Sequence, residues 1–262
     1  IMPPINEGYD NLVFSRDGSY LYFMTQRPGV KNGVIARVPV FGGTPQYLVE
    51  EVWVPFGISP DGSEFAFFRG SENDMRLLVT RLDGSGEREL SRNKPGELWF
   101  TVWGSAPSWS PDGKRITVFA GKNSAAGAYN FLLEVGLDGT TKEVPAMHWH
   151  QGTQVAWLPD STGLVVVAQE KVGAPYQVWL VSYPSGETRR LTNDLLDHDK
   201  VSISADGRLL LIQQETIFDH IWVAPEGDAL RARQPPFGAA HRDVEVEDVL
   251  EIKFSLFRGC YA

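Results

Sequence analysis

Cysteine is almost missing from this chain. Its 262 residues hold one, Cys260, so neither an intrachain disulfide framework nor a four-cysteine zinc site can be built. Long apolar runs are missing too. The longest, 164-LVVVA-168, is far too short to span a bilayer, and no direct membrane insertion is expected. The opening IMPPINEGYD lacks the basic stretch and apolar core of a signal peptide, and its start at Ile reads as a cut from something longer. Positive charge is the scarcer sign, with 24 Lys and Arg against 33 Asp and Glu for a net charge of -9. No basic run exceeds Arg189 and Arg190, which argues against nucleic acid as a partner. With 42% hydrophobic and 22% charged residues, the composition is nevertheless that of a folded globular chain.

What the sequence does contain is a repeat. Five times an apolar stretch runs into a Ser/Pro-Asp-Gly-like turn and restarts: 14-FSRDG-18, 58-ISPDG-62, 109-WSPDG-113, 157-WLPDSTG-163 and 203-ISADG-207. The turn residues Asp17, Asp61, Asp112, Asp160 and Asp206 lie 44, 51, 48 and 46 positions apart, a period that suits a four-stranded propeller blade. The second unit shows the grammar: 54-VPFGIS-59, 64-EFAFFRG-70, 77-LLVTRL-82 and 87-ERELS-91, each bounded by turn residues. Pro presets φ, Asp caps nearby backbone N–H groups and Gly supplies a positive φ, so these aspartates are assigned a structural role. A second mark, Gly43, Gly84, Gly139, Gly186 and Gly227, falls between the third and fourth strands of successive units. The expected fold is all-β, a propeller of four-stranded antiparallel blades with about five repeat units.

The units fall near 6–50, 51–92, 103–146, 153–193 and 199–226. The tail, 227–262, leaves the pattern, although 250-LEIKFSL-256 alternates and could supply one closing strand. A closed five-bladed ring and an open arc of a larger ring both remain, and open blade edges would favour self-association.

Phrases such as 37-RVPVFGGTPQYL-48, 58-ISPDGSEFAF-67, 106-APSWSPDGKRI-116 and 178-VWLVSYPSGETRRLTND-194 resemble the TolB-type, WD-like β-propeller repeat. More narrowly they are similar to the propeller part of bacterial receptor-like serine/threonine kinases. The resemblance covers roughly residues 6 to 226. It implies a sensor or protein-binding propeller, on the extracytoplasmic or periplasmic side, attached to a signalling domain absent from this chain.

In a four-stranded blade the Asp-Gly turns share one face of the disc. The opposite face receives the loops between strands two and three and between blades. That rule sends Trp53, Trp99, Trp103 and Trp149 to the second face, with His148, His150, His198 and His220. Glu50, Glu51, Asp194, Asp197 and Asp199 join them. Aromatic and titratable loops on a rigid scaffold suit recognition of a protein, peptide or envelope ligand; alternatively the tryptophans pack between blades and the acids are solvated. His148 and His150 point the same way on an extended segment and could join His198 around a metal, which would suit a metal-assisted propeller enzyme acting on an acidic carbohydrate. Their spacing matches no defined metal signature, and Asp194, Asp197 and Asp199 lack the ligand pattern of an EF-hand. The expectation is therefore no metal, no cofactor and no catalysis.

Motif chemistry supports that expectation. The triplet 241-HRD-243 is followed by Asp248 where a kinase catalytic loop has Asn, and no Gly-rich loop or Asp-Phe-Gly accompanies it. Propellers also cap prolyl-oligopeptidase-type serine peptidases, but no Gly-x-Ser-x-Gly elbow occurs. The phrase 84-GSG-86 reads as a hairpin turn, and there is no phosphate-binding Gly-Lys-Ser/Thr loop.

Overall fold

A computed structural model describes residues 9–215 apart from 54, 72, 95, 101–105 and 126. The chain divides into two compact units, Ile1–Thr216 and Ile217–Ala262. The second unit lies outside the described residues, as do Trp103, His220, Gly227 and the alternating segment 250–256.

Every described element is a β-strand. The first sheet is a meander of β1 (Tyr9–Phe14), β2 (Tyr20–Thr25), β3 (Gly33–Pro39) and β4 (Gln46–Val52). The second follows with β5 (Gly57–Ile58), β6 (Glu64–Arg69), β7 (Arg76–Arg81) and β8 (Arg88–Arg92). In the third, β9 (Trp99–Phe100) is added to the meander of β10 (Ser108–Trp109), β11 (Arg115–Ser124), β12 (Gly127–Gly136) and β13 (Thr141–Glu143). The fourth has β14 (Gln151–Trp157), β15 (Gly163–Gln169), β16 (Gln177–Ser182) and β17 (Thr188–Arg190). Last comes the pair β18 (Asp197–Ile203) and β19 (Leu210–Glu215). The architecture is the expected antiparallel propeller, with four complete blades among the described residues.

The turn chemistry explains why each meander starts where it does. Ser15, Ser59, Ser110 and Ser204 each donate Oγ to the Oδ1 of Asp17, Asp61, Asp112 and Asp206 at 2.6 Å. The same Oδ1 accepts the backbone N–H two residues on, at 3.0 to 3.1 Å. In the fourth unit Leu158 replaces the serine, and Thr162 supplies the hydroxyl to Asp160 at 2.7 Å instead.

The central strands are apolar on both faces because sheets lie on both sides of them. Along β6, Phe65 and Phe67 join Tyr22, Ile35 and Val49 of the first sheet. Ala66 and Phe68 turn the other way, towards Trp109, Ile116 and Phe131 of the third. Phe119 and Leu132 meet Trp149, Leu164 and Val166 across the next boundary, and Val165 and Val167 meet Val201 across the last. A strand buried on both sides reads as a continuous apolar run, as 164–168 does.

Two features exceed the sequence expectation. Strands β11 and β12 extend to Ser124 and Gly127, and β9 pairs along the same edge of β11 as β10 does. Gly121 permits this, because the Trp99 indole occupies the space that a Cβ would fill. Spacing between sheets is set partly by the glycines of the turns between third and fourth strands. A Cβ on Gly84 would stand 2.5 Å from the Leu48 carbonyl oxygen of the preceding blade. Gly186 (φ 77°) is pressed still closer to the Pro145 carbonyl.

Gly186→Ala combines strained backbone with overpacking and should destabilise the fold by about 1–3 kcal/mol, read from the urea midpoint; an unchanged midpoint would show that this approach does not limit packing. Hydroxyl donation from Ser59, with that of Ser63 and its N–H, lowers the Asp61 pKa below the ordinary aspartate range. A lowered folded pKa adds stability above the unfolded value that is lost as pH falls through the folded one. The thermal-stability gap between wild type and Asp61→Asn should therefore hold from neutral to mildly acidic pH and close only in strong acid. A gap that already changes near neutrality contradicts this origin.

Candidate binding site in the central channel

The innermost strand of each sheet, or the segment leading into it, presents one residue at the same offset, four positions before the turn serine or its Leu158 equivalent: Asn11, Gln154 and Lys200 within strands, Pro55 and Ala106 just ahead of β5 and β10. All five line one cavity of about 440 Å³, joined by Tyr9, Leu12, Val13, Ser202, Leu211 and Gln213. Bulges interrupt β1 between Asp10 and Val13, β14 between Gly152 and Gln154, and β18 between His198 and Val201. Such irregularities re-aim side chains, here along the rim of the channel.

These inner strands are tied to one another around the axis. Asn11 donates Nδ2 to the Phe56 carbonyl at 2.7 Å, linking the first sheet to the second. Ser108 Oγ accepts from Trp157 N at 3.2 Å between the third and fourth. The Gln154 amide makes a paired exchange with the Val201 backbone at 3.0 and 2.8 Å between the fourth and fifth. Lys200 Nζ then donates to Asp10 Oδ1 at 3.1 Å, joining the fifth sheet to the first. The wall is uneven: sheets one, four and five offer amide and charged groups, and sheets two and three offer Pro55 and Ala106. Leu12 and Leu211 line the same cavity while remaining 59% and 72% exposed. The arrangement can bind an amphipathic chain or small group by apolar contact and hydrogen bonding.

Among the described residues, those expected on the loop face have separate surroundings. Trp149 follows the alternative of packing between blades: it is 1% exposed and lies edge-on to Phe119 and Trp179, between the third and fourth sheets. Trp53 and Trp99 are partly buried, Trp53 against the core between the second and third sheets. His148 is on the surface, stacked on Tyr129 at 4.3 Å with Nε2 2.9 Å from Glu143 Oε1. Glu143 also accepts from Lys122 at 3.0 Å. Burial opposes its charge, but these two partners hold its pKa below the ordinary range. The backbone of half-buried His150 donates to Gln169 O. His198 is buried, with Nε2 3.2 Å from Asp194 Oδ2. Asp197 accepts from Tyr176 N at 2.8 Å, Asp199 sits in the β18 bulge, and Glu50 pairs with Arg27. Glu51 adopts a positive φ of 59°. Among the described residues no three His, Cys, Asp or Glu side chains are placed to share a metal ion. The channel residues escaped sequence reading, although their common offset from the turn serine was a usable signal.

No family model matches the chain. Over 157 residues it is 30% identical to the uncharacterized peptidase YuxL of Bacillus subtilis (strain 168), a match covering 58% of this chain and 20% of that protein. The chain thus spans about a fifth of that relative's length. In structure it is similar to a protein from Agrobacterium tumefaciens named as TolB, with TM-score 0.61 and 17% identity over 83% of this chain and 74% of the other. It is also similar to an oligogalacturonate lyase of Vibrio parahaemolyticus, with TM-score 0.57 and 12% identity over 81% and 61% of the two chains. The structural likenesses establish a TolB-like propeller fold.

Trp149→Ala should cost about 3–5 kcal/mol in chemical denaturation, as expected for an emptied aromatic site. His148→Ala, removing an exposed side-chain contact with Glu143, should cost less than about 1 kcal/mol. Equal losses would refute the division between packing and surface roles.

Proposed function

We propose that this chain is a non-catalytic propeller module that binds a protein or peptide segment at its central channel, serving as the sensor part of a larger bacterial signalling protein. The observation that carries the reading is the ring of Asn11, Pro55, Ala106, Gln154 and Lys200 around one cavity, with Leu12 and Leu211 exposed in its wall. Apolar side chains left open beside hydrogen-bonding groups on a rigid scaffold suit an extended segment. The link to a serine/threonine kinase rests on the repeat phrases alone and is an analogy of sequence.

The 30% identity to a peptidase five times longer than the match favours a second reading, in which the propeller accompanies a hydrolase domain and admits or selects its peptides. A metal-assisted carbohydrate enzyme draws support from the lyase-like fold alone.

Peptides selected against the purified chain from a phage-displayed random library test the binding reading. Leu211→Asp, a change at an exposed site, should weaken the best peptides about tenfold or more. Peptides indifferent to Leu211→Asp and to Lys200→Glu would remove the channel as the site. The hydrolase reading instead expects peptide cleavage by the intact longer protein, with KM altered by Leu211→Asp.

A further inference from the structure

The connection from the fourth sheet to the fifth carries an apolar tip that the core does not use. Leu195 is 93% exposed and Leu196 41%. Val172, 77% exposed, stands on the adjoining loop between β15 and β16. Scattered surface leucines need no explanation, but the segment carrying Leu195 and Leu196 is held in place by buried polar side chains. Gln177, fully buried, directs its amide nitrogen at the carbonyls of Tyr176, Asp194 and Leu196, at 3.2, 3.3 and 3.2 Å. The Asp194 carboxylate accepts from Leu196 N at 3.0 Å and meets buried His198 at 3.2 Å. The two loops are also joined directly, His198 N donating to Tyr176 O at 3.1 Å and Tyr176 N to Asp197. An apolar tip fixed in this way has already lost much of the freedom that binding would otherwise cost.

The charge beside the two leucines is mainly negative. Asp194, Asp197 and Asp199 flank the two leucines, while the nearby cations Arg190 and Lys200 are paired with Glu170 and Asp10. The bond from Leu196 N–H lowers the Asp194 pKa below the ordinary aspartate range, so Asp194 keeps its charge into acid. Three carboxylates oppose approach to an anionic lipid surface, and the net charge of -9 opposes pairing of two copies.

We propose that Leu195, Leu196 and Val172 form a docking surface for a partner protein whose apolar pocket is rimmed by lysine and arginine. This surface is separate from the channel, and the inference does not rest on the channel reading. The test is a phage-displayed random peptide library selected against the full chain, with binders measured against wild type, Leu195→Ser/Leu196→Ser and Leu211→Asp. The double serine variant keeps every charge and removes no fully buried group. Expected are peptides combining Lys or Arg with large apolar residues, weakened about tenfold or more by the double variant and weakened by added salt. Failure to enrich any peptide would overturn the proposal, as would acidic binders or peptides that hold the double variant as tightly as wild type. Peptides lost only with Leu211→Asp would overturn it while leaving the channel reading standing. Wild-type binding to phosphatidylcholine vesicles, or dimerisation by light scattering, that disappears in the double variant would assign the tip to a membrane or a second copy and equally overturn it.

Discussion

Burial of the middle strands on both faces is the constraint from which the rest of this molecule follows. A sheet with one solvated face can end anywhere that polar residues begin. Here Phe65, Ala66, Phe67 and Phe68 are successive and all fully buried, so the second sheet needs a neighbour on either side, as do the third and fourth. That requirement arranges the sheets around an axis, brings β1, β14 and β18 to the inside, and creates the channel as a by-product of packing. The connections between sheets are then left to carry whatever the packing does not need.

Both proposed binding surfaces follow from that division of labour. The channel inherits one position from every repeat, so its character depends on which residue each copy places there. Gln154 and Asn11 use much of their hydrogen-bonding capacity to hold neighbouring strands, which leaves the exposed leucines to provide contact area. The tip at Leu195 and Leu196 belongs to a single connection and has no counterpart imposed by the repeat.

The sequence was most informative where the determining interactions are local. A serine two positions before an aspartate, with glycine after it, forms its hydrogen bonds within one turn, so four of the five turns could be read directly and the fifth by its Asp160 and Gly163. It was least informative where a neighbour comes from another sheet. His148, Trp149 and His150 looked like one aromatic and titratable cluster, yet an extended segment alternates. Trp149 therefore turns inward to Phe119 while His148 faces out to Tyr129. Strand β9 was invisible for a similar reason, since its partner is the far end of β11 and its fit depends on the missing side chain of Gly121.

The aspartate turns also govern strand alignment. In most antiparallel sheets a slip of one residue exposes apolar side chains to water, and that penalty selects the correct pairing. Along 164–168 a slip exchanges one apolar face for another, so hydrophobicity alone cannot discriminate between neighbouring alignments. The choice falls to the hairpin ends, where Thr162 and Asp160 fix the pairing of Trp157 with Leu164. The turns are thus the registration marks of a sheet whose own side chains carry no such information.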